Sequence, residues 1–286
     1  MKRRTLMALP ALATLAPIAL VAALANGAGA AAPAVSPAVS NAVSIIHPPL
    51  VVAPSQGLRN DSLESTNWSG YAVSASSEFT EAVGSWVEPA AKCSGRNSTT
   101  YASFWVGIDG YTSDSVEQLG TDSDCSRGNP SYYVWYEMYP ANSVELSKST
   151  YPVNVGDTLT ATVDRSGTSY TLSLTDTSSN TTSPNWTFSK VLTGSNANSS
   201  AEWVAESPEI CSFFCQLASL TDFGTVTFSG AQAADGGTLS PVSSFTASSG
   251  PHEITMVTNN GTVRAEPGAL TSSGQGSGFS DTWEHS

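Results

Sequence analysis

Positive charge is scarce in this sequence. Its 286 residues carry 11 Lys and Arg against 24 Asp and Glu, a net charge of −13 at pH 7. Nucleic-acid binding needs cations to neutralise phosphates, and an anionic membrane surface needs a basic patch, so neither partner is expected. Histidine is scarcer still, with three in the chain. His47 lies in a Pro-rich stretch, His252 follows Gly250-Pro251, and His285 is the penultimate residue. None belongs to a strand-borne cluster, so neither a Ser/His/Asp triad nor a His-based metal centre is expected. The sequence also lacks a GxGxxG element, a Walker A loop, and the Asp-Thr-Gly or Asp-Ser-Gly pair of a two-aspartate protease. Any chemistry therefore falls to carboxylates and neutral polar groups.

What is present points to an exported protein. Lys2, Arg3 and Arg4 precede an apolar run from Leu6 to Ala25, and Ala28-Gly29-Ala30 supplies small residues of the kind a signal peptidase accepts. Residues 1–30 are read as a signal peptide. No later run approaches the ~18 apolar residues of a membrane span, so the mature chain is expected to be soluble. Residues 31–62 are rich in Ala, Pro, Val and Ser, show no helical periodicity, and read as a flexible linker or pro-segment. The remainder, 63–286, has one texture and reads as a single domain, with a monomer as the expected state. The acidic surface suits an acidic medium, because many of its carboxylates would be neutral near about pH 4.

Four cysteines, Cys93, Cys125, Cys211 and Cys215, allow three pairings. The spacing of Cys211 and Cys215 can be closed by a short loop, which leaves Cys93 with Cys125. A four-thiolate zinc site would want paired CxxC knuckles, which are missing, so disulfides are the reading for an oxidising compartment.

The domain reads as all-β. Runs that alternate apolar and polar residues are punctuated by Gly, Asn and Asp, as in TLTATVD–RSG–TSYTLSLT from Thr158 and EITMVT–NNG from Glu253. A two-sheet antiparallel sandwich of the jelly-roll or concanavalin-like kind is expected. Strand alternation places Phe104, Val106 and Ile108 opposite Trp105, Gly107 and Asp109. It likewise places Val134, Tyr136 and Met138 opposite Tyr133, Trp135, Glu137 and Tyr139. In the third strand Ala201, Trp203 and Ala205 lie opposite Glu202, Val204 and Glu206. Trp and Tyr interleaved with carboxylates suggest the lining of a groove for an extended polymer, against the plainer reading of a partly covered outer face.

Five segments, in order, resemble the eqolisins or glutamic peptidases. They are Asn67-Trp68-Ser69-Gly70, the stretch from Trp105 to Gly110, Glu117-Gln118-Leu119-Gly120-Thr121, the stretch from Trp135 to Pro140, and Ala201-Glu202-Trp203-Val204-Ala205-Glu206. The resemblance implies two bent antiparallel sheets with a substrate groove on the concave face. It implies an acid endopeptidase, without cofactor, that acts on proteins or peptides through a Gln–Glu dyad. By motif position the dyad is Gln118 and Glu206, while Trp68, Trp105, Asp109, Trp135 and Glu137 match residues that line or support the site. Glu206 would take a proton from water and return it to the leaving amine, and the Gln118 amide would donate to the tetrahedral oxygen. Glu117 alternates away from Gln118 and is left out of the site.

Three expectations qualify the resemblance. The signal segment and composition suggest a bacterial-type member. The stretch before the domain has one Arg and no Lys, unlike the basic pro-segments of fungal members, so inhibition by charge pairing is not expected. Two other functions fit an aromatic groove, namely a jelly-roll glycosidase using Glu137 and Glu206 and a lectin-like binding module. Neither gives Gln118 a role.

Overall fold

A computed structural model describes residues 43–54, 62–95, 97–178, 184–273 and 276–286. The segment read as a signal peptide, together with 31–42 and 55–61 of the expected linker, lies outside the described residues. The described chain is all-β apart from two short 3-10 turns. No helix among these residues is long and apolar enough to cross a membrane.

The strands that build the site are β1 (Ser44–Ile46), β2 (Trp68–Ser74), β3 (Ser103–Ile108), β4 (Val116–Ser126), β5 (Asn129–Tyr139), β6 (Ser200–Glu206), β7 (Glu209–Cys211) and β8 (Cys215–Leu217). In one sheet they pair antiparallel in the order β2–β6–β3–β4–β5. This sheet is extended beyond β2 by His252–Val257 and Val263–Pro267. The second sheet runs Gly276–Trp283, Thr225–Ala234, Glu81–Val87, Thr158–Ser166, Ser169–Asp176, Trp186–Thr193. Val263–Pro267 also pairs with Gly276–Trp283 and so joins the two sheets at one edge. The result is the two-sheet antiparallel sandwich expected from the alternation, and both hairpins expected from turn chemistry form.

Alternation decides which side chains fill the sandwich. Phe104, Val106, Ile108, Leu119, Val134 and Trp203 from the first sheet pack against Trp86, Leu159, Val163, Leu172, Leu174 and Phe228 of the second. The opposite face of the first sheet carries a separate cluster of Trp68, Ala72, Trp105, Val116, Tyr133, Trp135, Val204 and Ile254. Both faces are buried, which explains the near-continuous burial of β2, β3, β4 and β6.

Gly120 in β4 shows how tightly the strands meet beneath this second cluster. A Cβ there would stand 2.2 Å from the Phe104 carbonyl oxygen and 2.6 Å from Trp105 Cβ. Since the obstacles are backbone and a strand-fixed Cβ, the strands would have to part. Gly120→Ala is expected to cost about 3 kcal/mol, as overpacking does, read as a lower denaturant midpoint at unchanged m-value.

Both disulfides expected from the spacing are present, Cys93–Cys125 and Cys211–Cys215. The second closes the β7–β8 hairpin, whose first strand, β7, pairs antiparallel with β1. The described residues of the stretch read as a flexible linker or pro-segment run along the domain, where their backbone groups find partners: Leu50 N–H donates to Gly110 O (3.1 Å) and Ala53 N–H to Glu64 O (3.0 Å).

Candidate active site

Gln118 and Glu137 are cross-strand partners in β4 and β5. Glu206, at the end of β6, is opposite Trp68 on one side and Ser103 on the other. Strand period 2 turns Gln118, Glu137, Glu206, Trp68, Trp105 and Trp135 to the same face of the sheet, and all six side chains are buried.

Glu206 is held by two indoles. Trp105 Nε1 donates to its Oε2 at 2.8 Å and Trp68 Nε1 donates to its Oε1 at 3.3 Å. His47 Nδ1 lies 3.0 Å from the same Oε2. Burial, and next the neighbouring charge of Glu137, push the Glu206 carboxyl well above the usual range, while the two indole hydrogen bonds pull against that shift. Glu137 is raised to about 9 by burial, opposed by the His47 backbone N–H that donates to its Oε2 at 2.9 Å. Gln118 Nε2 donates to the His47 carbonyl at 2.6 Å. A single residue thus bridges the amide and the carboxyl that the motifs singled out.

Asp109 occupies a different position. Its Oδ2 accepts from Asn198 N–H (2.6 Å), and its Oδ1 accepts from Ser199 N–H (2.8 Å) and the Ser113 hydroxyl (2.9 Å). Both oxygens are spent on loop backbone and a loop hydroxyl, and Asp109 is not brought against Glu206. Glu117 faces the other side, where Asn196 Nδ2 donates to its Oε1 (2.5 Å). Glu202 shares the face of Glu206 and stands opposite Ala72 and Gly107, on the rung that continues through Gly107 to Gln118 and Glu137, whereas Glu206 stands on the rung of Ser103, Asp122 and Tyr133. Burial raises it as well.

A second pair of acids borders the groove. The Tyr133 hydroxyl lies 2.8 Å from both Asp122 Oδ2 and Asp124 Oδ2. The phenol thus offers its one proton between two carboxylate oxygens. Burial pushes Asp122 up to about 7, and burial with the Asp122 charge raises Asp124. A cavity of about 230 Å³ opens beside it, lined by Ile45, His47, Asp122, Tyr133, Trp135 and Glu145 among others.

Sequence reasoning missed three residues that shape the site. His47 falls in the stretch read as a linker or pro-segment, and a lone His before Pro48-Pro49 is the available local signal. Asn67 lies in the first motif, which implies no role for it; its Nδ2 donates to Pro48 O (3.3 Å) and Pro49 O (3.0 Å). Arg264 was not singled out. It is buried, donates to Thr66 O (3.1 Å), Ser207 Oγ (3.2 Å) and Ala218 O (3.0 Å), and so ties together the residues next to Asn67 and Glu206. No local pattern distinguishes such an arginine from a solvated one.

Comparison with known proteins agrees with the geometry. The profile of the peptidase A4 family matches residues 66–274. Aspergillopepsin-2 of Aspergillus niger is 31% identical over 191 residues, 60% of this chain and 66% of that protein. Scytalidopepsin B of Scytalidium lignicola is 32% identical over 151 residues, 51% of this chain and 53% of that protein. The matches span less than two thirds of the length of these relatives. A solved structure of scytalido-glutamic peptidase with a transition state analog inhibitor has a similar fold, with a TM-score of 0.62 at 23% identity over 77% of this chain and 98% of that one. The expectation of a bacterial-type member is corrected here, since the named relatives are fungal. Signal-peptide pattern and composition report export, which both kinds of organism perform, and carry no taxonomic information.

Proposed function

The chain belongs to the peptidase A4 family, and from that membership we propose that it is a secreted acid endopeptidase hydrolysing protein or peptide substrates through Gln118 and Glu206. The observation that carries the reading is the pair of contacts on one peptide unit and its side chain. A backbone carbonyl accepts from Gln118 Nε2 at 2.6 Å, while Glu206, fixed by Trp68 and Trp105, stands on the same residue. A substrate carbonyl in that place would have an oxyanion donor already aimed at it. Glu206 would deprotonate the attacking water, then protonate the leaving nitrogen, with the indoles fixing its orientation throughout.

Glu137 binds the backbone N–H of the residue whose carbonyl meets Gln118. In a substrate it would fix that residue's position, a binding role distinct from proton transfer. Trp135 would supply a flat apolar wall, and Asp109 would hold the rim. The domain doing this work extends over 63–286, preceded by a signal peptide at 1–30, and acts as a monomer. The dyad gives Gln118 a function that the glycosidase and lectin readings lack, and neither is retained.

The test is a pH–activity profile of the secreted protein on an unfolded protein substrate, with and without pepstatin. Hydrolysis confined to acidic pH and insensitive to pepstatin is expected. A profile peaking at neutral pH, or release of sugar from xylan in place of peptides from protein, would sink the reading.

A further inference from the structure

We propose that Phe213 and Phe214, at the tip of the β7–β8 hairpin, form an exosite that takes an apolar side chain of a polypeptide substrate about six residues before the bond to be cut. This rests on the peptidase reading above.

The two rings are the most exposed large apolar side chains among the described residues, 78% and 79% accessible. The hairpin holds them outside. Cys211 and Cys215 are cross-strand partners joined by a disulfide, which leaves Ser212, Phe213 and Phe214 to make the turn. Within that turn the Ser212 N–H donates to Phe214 O at 3.3 Å. Two adjacent bare rings leave a large apolar area in water, the kind of patch that marks an interaction surface. From Ile210 to Leu217 the hairpin carries no charged residue, so the partner it fits is apolar and not ionic.

The position of the hairpin identifies that partner. β7 receives on its edge a chain whose downstream end lies in the site. Ser44, Ile45 and Ile46 stand opposite Cys211, Ile210 and Glu209, and the next carbonyl, that of His47, accepts from Gln118. The His47 ring lies flat on Trp135, with centroids 3.5 Å apart and planes within 1°, which fixes this register. An extended chain on this edge therefore runs from the hairpin tip to the dyad. Consider a substrate with its scissile carbonyl at Gln118 and its backbone on the same edge of β7. Counting the residue that bears that carbonyl as the first, the fourth residue before the bond falls opposite Cys211. In the same register the fifth and sixth fall opposite Ser212 and Phe213. Main-chain bonds hold an added strand, and the side chains it meets set its preference. An unfolded protein presents the apolar residues that a folded one buries, so such an exosite favours unfolded substrates.

The experiment uses the secreted protein in the form that digests protein, wild type and the double variant Phe213→Ser/Phe214→Ser, with three synthetic peptides of one cleavage sequence. One peptide starts four residues before the bond. The other two start eight residues before it and carry either Leu or Ser at the fifth to seventh positions. Wild type should show a KM about tenfold lower for the long Leu peptide than for the long Ser peptide, at unchanged kcat, the factor that partial cover of two rings supplies. In the double variant that preference should vanish. Its cleavage of the short peptide and its melting temperature should stay at wild type, since rings this exposed contribute little to the core. Equal KM values for the two long peptides in wild type, or a preference that survives in the variant, would overturn the proposal. It would also be overturned if the double substitution abolished binding to phosphatidylcholine vesicles, or a dimer seen by light scattering, and left peptide preference unchanged. If neither chain cuts any peptide, the peptidase reading fails. Fluorescence anisotropy of the labelled long peptides then tests the exosite alone: tighter binding of the Leu peptide that needs the Phe pair supports it, and equal binding overturns it.

Discussion

Glu206→Gln is expected to lower kcat/KM on a protein substrate by about 10³–10⁴, and Gln118→Ala by about 10²–10³. The two losses have different origins. Glu206→Gln keeps the shape of the side chain and an oxygen for one of the indoles, but removes the carboxyl that the proposed mechanism uses to carry a proton between water and amine. Gln118→Ala removes a donor that stands 2.6 Å from a bound carbonyl, the kind of contact that strengthens as negative charge develops on the oxygen. Neither substitution touches the core between the sheets, so near-ultraviolet circular dichroism and melting temperature should stay close to wild type. The double variant should lose little more than Glu206→Gln alone, because residues acting on one transition state are not additive. A Gln118→Ala enzyme with wild-type kcat/KM would remove the dyad from consideration.

The second large effect concerns stability against pH. Glu88 is buried and raised to about 7, although the Thr121 and Ser123 hydroxyls donate to it at 2.6 Å. Burial raises Asp281 to about 8, and burial with the Asp109 charge raises Glu117 to about 9. Each carboxyl has a folded value above its unfolded one, so between about pH 4 and 7 the native state keeps protons that the unfolded chain has released. Stability is then fully present below the unfolded values and is lost as pH rises through the folded ones. Each such group contributes a slope of about 1.4 kcal/mol per pH unit in that window.

The opposing effect, loss of carboxylate ion pairs in acid, is small here. The Lys and Arg pairs found among the described residues, Lys92–Asp222, Lys148–Glu145 and Arg165–Glu78, each have an exposed partner and are worth little. Scanning calorimetry should therefore give a higher melting temperature near about pH 4 than at pH 7. Glu88→Gln should flatten the dependence by about one group's slope. A melting temperature that rises steadily from pH 4 to 7 would show that the buried acids are ionised in the native state.

Together these effects describe a molecule expected to be most stable in the acidic range in which it is proposed to act. Apart from His47, the groove and the buried acids share one cause. Strands with apolar residues on both faces are covered on both faces, and any carboxylate among them is buried with its neighbours.

Local sequence determined much of this. The alternation in Ser103–Ile108, Asn129–Tyr139 and Ser200–Glu206 fixed which side chains share a face, because the strand period admits no other arrangement once one face is the core. Turn chemistry at Arg165-Ser166-Gly167 and Asn259-Asn260-Gly261 fixed two hairpins, and four cysteines with one short spacing left one sensible pairing. The motifs marked Gln118, Glu206, Trp68, Trp105, Trp135 and Glu137, and all six meet on one face. Tertiary structure alone decided that Asp109 turns its oxygens to Asn198 and Ser199, that Arg264 closes the end of the Glu206 strand, and that His47 lies on Trp135. Those contacts join residues from 71 to 159 positions apart where His47 meets Gln118 and Glu206. Hydropathy and spacing describe neighbours along the chain. They carry no information about which distant strand edge is left open, or which segment of the same chain has the unpaired backbone to fill it.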